Sequence, residues 1–132
     1  MTDASMKDRL RGREAELVIS DPWDVVGSDG SNVLMATIVD VDTGSSPASG
    51  RELLLVKLQS TLMWKGRGSD YFVVEGRYER EVVDSLLGGQ VVFCNATAVL
   101  SEDAASGPPW GVDKWRGGTP AATGSLRLKT LD

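Results

Sequence analysis

The chain has 132 residues, 41% of them hydrophobic and 25% charged, with a single cysteine and no histidine. That length reads as one domain able to bury an apolar core without cross-links, and the missing histidines exclude Ser-His-Asp and Cys-His catalysis and histidine-bound zinc. The formal charge of −5 works against nucleic acid as a partner, because phosphate binding needs clustered Lys and Arg.

Residues 1–13 are polar and mixed in charge, and are read as a flexible tail ahead of one globular domain at 14–132. They lack the apolar stretch of a secretory signal, and no apolar run reaches the roughly 18 residues of a membrane span. With one cysteine there is no internal disulfide either, so a cytoplasmic location is expected. Glu16–Ser20 reads as a short strand stopped by the turn dipeptide Asp21-Pro22. After a turn-rich loop at 27–32, Val33–Val41 is nearly continuous in apolar and β-branched residues, which predicts a central strand covered on both faces. Small polar residues at 42–50 read as a flexible loop.

The run ELLLVKL at 52–58 fits a buried strand or one to two helical turns; its short length and the preceding Gly50 favour the strand. KGRGS at 65–69 is a turn and DYFVVE at 70–75 a strand, so 52–75 predicts a hairpin. The one clear helix is Glu79–Leu87, where Val82, Val83, Leu86 and Leu87 form an apolar stripe and Gly88-Gly89 supplies a stop. Gln90–Leu100 reads as a long strand in which Cys94 is a small buried hydrophobe. In Gly124–Leu131, Leu126, Leu128 and Thr130 alternate with Arg127 and Lys129, the pattern of a half-exposed edge strand. The expected fold is α+β and mainly β: a bent antiparallel sheet, or a partly open small barrel, of about six strands with one short helix.

Charge is distributed unevenly. The net is +1 over residues 1–14, −6 over 15–50 and zero over 51–132, so the middle segment carries the whole imbalance. Its acids are Glu16, Asp21, Asp24, Asp29, Asp40 and Asp42, and Asp40 and Asp42 point the same way on an extended backbone. DPWDVVGSDGS does not match the calcium-loop pattern, so no metal site and no cofactor are expected. Such a run reads first as a solvated face and then as a docking surface for a basic partner. A second candidate surface is GPPWGVDKWRGGTP at 107–120, where Pro and Gly preclude regular structure. Trp110 and Trp115 can clamp this loop onto the sheet, or serve with Arg116 as interface anchors.

Ser20-Asp21-Pro22-Trp23-Asp24, Cys94-Asn95, Trp115-Arg116-Gly117-Gly118 and Gly124-Ser125-Leu126-Arg127 are spread over most of the chain. In this combination the chain resembles small uncharacterised bacterial proteins, some of which look like immunity proteins of toxin systems. The resemblance implies an inhibitor and transfers no activity to a residue.

The expected function is a non-enzymatic protein-binding module that meets a basic partner through Asp21, Asp24, Asp29, Asp40 and Asp42, with Trp110, Trp115 and Arg116 alongside. One alternative is a small-ligand-binding or hydrolytic barrel using Asp21 or Asp24 beside Trp23. Another is an OB-like nucleic-acid binder using Lys65, Arg67, Tyr71 and Phe72.

Overall fold

The computed structural model describes residues 9–21, 32–43, 52–64, 67–78, 82–99, 105 and 121–129. Six strands follow in order: β1 (Glu14–Asp21), β2 (Val33–Thr43), β3 (Glu52–Trp64), β4 (Arg67–Gly76), β5 (Val92–Val99) and β6 (Ala121–Leu128). One short helix, α1 (Val83–Leu87), lies between β4 and β5. Each strand pairs antiparallel with its sequence neighbour, and β6 pairs with β1. The mainly β fold expected from the sequence is therefore present, and the barrel is closed.

Closure changes two expectations. β6 was read as an edge strand, yet Leu126 is paired with Val92 on one side and Leu17 on the other. The alternation that suggested an edge is the in-and-out alternation of a barrel strand whose outer face meets water. β2 was expected to be covered on both faces, but Val33 and Val39 are exposed. The register shifts between Ile38 and Asp40, so Val39 sits in a bulge and the inward set changes from Leu34, Ala36 and Ile38 to Val41.

The strand buried on both faces is β3. Leu54, Val56 and Leu58 point into the barrel, while Leu53 and Leu55 join Val73 and Val99 in a second buried cluster on the outer face. That double burial is why ELLLVKL reads as an unbroken apolar run.

Side chains fill the barrel. Ala15, Leu17 and Ile19 of β1 meet Phe72 and Val74 of β4 and Val92, Cys94 and Ala96 of β5 in one cluster. Small residues at Ala36, Ala96 and Ala122 make room for the larger ones, as a narrow barrel requires. Gly124 is the extreme case, since a Cβ there would collide with the carbonyl oxygen of Val18. This close backbone approach lies next to the register shift between Ile19 and Asp21 in β1.

One end of the barrel is covered by α1 and by Leu10. Val82, Val83 and Leu86 are buried there with Leu10, and Leu87 packs at the margin, so the predicted apolar stripe faces the core. The expected helix began at Glu79; residues 79–81 lie outside the described residues. Val82 supplies no side-chain cap. The cap comes instead from β3, where Glu52 Oε1 accepts hydrogen bonds from the Val82 and Val83 N–H groups at 2.6 and 2.9 Å. At the other end of α1, Gly89 takes φ +81°, a left-handed conformation suited to glycine, and donates to the Leu86 carbonyl.

The stretch read as a polar tail is anchored at its end. Leu10 is wholly buried, and Gly12 N–H donates to the Ile38 carbonyl while Arg13 accepts from Ile38 N–H. No described helix is long and apolar enough to cross a membrane.

Candidate functional site

The described acids of the 15–50 segment are largely engaged within the barrel. Asp40 and Asp42 stand on the same outer face of β2, opposite Leu55 and Leu53 in the β3 register. Asp40 Oδ1 accepts from Arg11 Nη2 at 2.8 Å and from Val41 N–H at 2.9 Å, so it ties the bulge to the segment before β1. Asp42 is only 2% exposed, which leaves almost none of its surface for a partner. Glu16 pairs with Arg127 across the β1–β6 ladder at 2.7 Å. Asp21 ends β1 opposite Thr123, with only its backbone described. Asp24, Asp29, Trp110, Trp115 and Arg116 lie outside the described residues, as does Trp23.

Of the residues named for nucleic-acid stacking, Lys65 and the side chain of Arg67 lie outside the described residues. Phe72 points into the barrel and is 2% exposed, while Tyr71 is half-buried with Lys57 Nζ 5.9 Å from its ring centroid. The strand order is that of an up-and-down meander, whereas an OB fold is a five-stranded Greek-key barrel. The described positions of the interior carry packed apolar side chains.

Among the described residues, exposed aromatic side chains meet where β4 leaves the barrel and β5 enters it. Arg77 N–H donates to the Phe93 carbonyl at 2.9 Å and extends the β4–β5 ladder beyond Gly76 and Cys94. Because Val92 and Cys94 point inward, Phe93 must point out, and it is 62% exposed. Tyr78 is 73% exposed and meets Phe93 edge to face, with ring centroids 6.4 Å apart and planes at 74°. Arg77 Cζ lies 5.4 Å from the Tyr78 ring centroid, a cation–π contact.

An outward row of residues runs around the barrel from the pair. Register places Phe93 beside Ser125, Ser125 beside Val18 and Val18 beside Val33, one outward row over four strands. Val33 ends this row three strands from Phe93, on the far side of the barrel, while exposed Val91 lies two residues before Phe93. Phe93 was missed at the sequence level, although the alternation that buries Cys94 exposes it. Tyr78, between Arg77 and Glu79, carried only the weak surface signal of charged neighbours.

Cys94 has no place in this surface. Burial inside the barrel pushes its thiol up to about 12, so it is neutral and unreactive near neutral pH. Among the described residues no three His, Cys, Asp or Glu side chains group closely enough to hold a metal ion.

Fold and surface together define a small closed antiparallel barrel with a packed interior and an aromatic outer patch. Comparison with protein-family models, with curated proteins and with solved structures finds no match.

Proposed function

We propose that this protein is a protein-binding module that docks through the outer face around Tyr78 and Phe93. The observation that carries this reading is the exposed aromatic pair, held edge to face and flanked by Arg77. Aromatic and Arg side chains dominate interface hot spots because each offers a large, stiff surface that loses little entropy on docking. Exposed Val91, two residues before Phe93, adds a further apolar side chain close to the pair.

The chain's acidic balance suggests a partner with a basic rim, steered by long-range attraction. Asp21, Asp24 and Asp29 are the acids of the run proposed to act at that rim. An inhibitor or immunity-type role fits this combination and agrees with the resemblance noted in the sequence. An adjacent toxin-like reading frame would strengthen that assignment.

The test compares wild type with the Tyr78→Ala/Phe93→Ala variant as immobilised bait, with quantitative mass spectrometry of the retained proteins. A specific partner should be retained by wild type and depleted with the variant, while circular dichroism and the melting temperature stay unchanged. Equal retention by both proteins refutes the assignment of this face. A single-stranded oligonucleotide should not bind wild type at physiological salt; binding lost in the double variant would replace a protein partner with nucleic acid.

A further inference from the structure

The end of the barrel beneath α1 carries a cleft of about 290 Å³, close to the lower bound of roughly 300 Å³ seen for small-molecule sites. Its charged lining consists of Arg13, Arg127, Lys129 and Glu16, three cations against one carboxylate. Its apolar lining comes from Leu86 and Leu87 of α1 and from Leu128. In a chain of net charge −5, this is a local concentration of positive charge on an apolar floor.

The cations differ in their engagements. Arg127 gives both Nε and Nη2 to Glu16 Oε2, at 2.8 and 2.7 Å. Lys129 reaches Glu14 at 3.3 Å, with both side chains about half exposed. Arg13 differs: its Nε is buried and has no acceptor among the described residues. Its backbone is nevertheless fixed, through hydrogen bonds to Leu10 and Ile38. Nε itself is closed to solvent, but Arg13 as a whole is only partly buried and lines the cleft, so an anion there would meet the rest of its guanidinium. The guanidinium fork matches a carboxylate or similar oxyanion in two parallel hydrogen bonds.

We propose that this cleft binds a small organic anion with an apolar body, of the acyl- or aryl-carboxylate class, with Arg13 as anchor and Leu86, Leu87 and Leu128 as the floor. Glu16 holds Arg127 in reserve and opposes a second contact to the anion. The cleft adjoins the aromatic patch along β6 but shares no residue with it, and the proposal does not depend on the docking reading.

Isothermal titration calorimetry with octanoate, inorganic phosphate and octylamine tests the proposal on the full chain. Octanoate should bind, octylamine should not, and phosphate should bind at least about tenfold more weakly because it leaves the apolar floor empty. Arg13→Gln should weaken octanoate by at least about tenfold, the scale of a lost charged hydrogen bond. Glu16→Gln should tighten it about threefold or more by removing the only carboxylate in the lining. The opposite signs of these two variants separate a binding role from simple loss of structure, and Glu16→Gln decides the matter if Arg13→Gln does not fold. Phe93→Ala should leave octanoate affinity unchanged. The proposal is overturned if octanoate fails to bind, if octylamine or phosphate binds equally well, if Glu16→Gln weakens binding, or if Phe93→Ala abolishes it.

Discussion

Glu52 is the residue whose removal should reveal most about how the barrel end is built. It is 4% exposed, and one carboxylate oxygen receives both leading N–H groups of α1. Hydrogen bonds to a charged acceptor contribute about 1.5–3 kcal/mol each, and the two here share one oxygen. Glu52→Ala leaves both N–H groups without that acceptor and opens a small void, so its cost should be about 3–5 kcal/mol. Glu52→Gln keeps the shape and a neutral carbonyl acceptor, with bonds roughly half as strong, so its cost should be about 1–2 kcal/mol. Urea unfolding followed by circular dichroism measures both, with an unchanged slope confirming that native compactness is retained. The ordering Ala worse than Gln worse than wild type is the signature of an acceptor role. A loss below about 0.5 kcal/mol for Glu52→Ala, the range of an ordinary surface substitution, would refute a buried cap and with it the seating of α1 on β3.

Leu86→Ala should cost about 2–5 kcal/mol in the same assay, because Leu86 is fully buried beneath the helix. Gly124→Ala should cost about 3 kcal/mol or prevent folding, since the new methyl meets the Val18 backbone and not a movable side chain. Cys94 should resist thiol reagents in the folded protein and label at once in urea; rapid native labelling would contradict its place inside the barrel. The same thiol should make stability fall with alkali. Its folded value near 12 exceeds the ordinary 9.0, so the unfolded chain sheds the proton first and stability declines from pH 9 toward 12. At pH 10 wild type should have lost about 1.4 kcal/mol more, relative to pH 8, than Cys94→Ala, as compared by urea unfolding.

Much of the barrel was legible because periodicity and burial agree there. The apolar stripe of 82–87, the central place of Cys94 and the hairpin of β3 and β4 follow directly from residue spacing. Closure was not legible, because an edge strand and a barrel strand with a wet outer face share one alternating pattern. Nor was the bulge at Val39, which reverses the facing of β2 without a glycine or proline to mark it. Glu52 looked like the polar start of an apolar strand, and its cap is formed with residues thirty positions away. The aromatic patch could have been found by carrying the alternation one residue beyond Cys94, whereas the edge-to-face contact with Tyr78 needs the geometry of the β4 exit.

The charge pattern was visible in the sequence, but its meaning depended on topology. β1 lies between β2 and β6, so acids of the 15–50 segment face cations drawn from either side of it. Glu16 meets Arg127 and Asp40 meets Arg11, while Asp42 is buried against the outer face. A count along the chain treats these carboxylates as unbalanced, yet in the barrel they serve as ties between strands and segments. Ion pairs as exposed as these contribute little energy individually, and their effect is chiefly to set direction. Arg11 points to the β2 bulge and Arg127 is turned toward Glu16. Arg13, two residues beyond Arg11, belongs to neither pair and lines the cleft beneath α1. Glu16 and Asp40 therefore hold Arg127 and Arg11 in place, an engagement that net charge alone would have hidden.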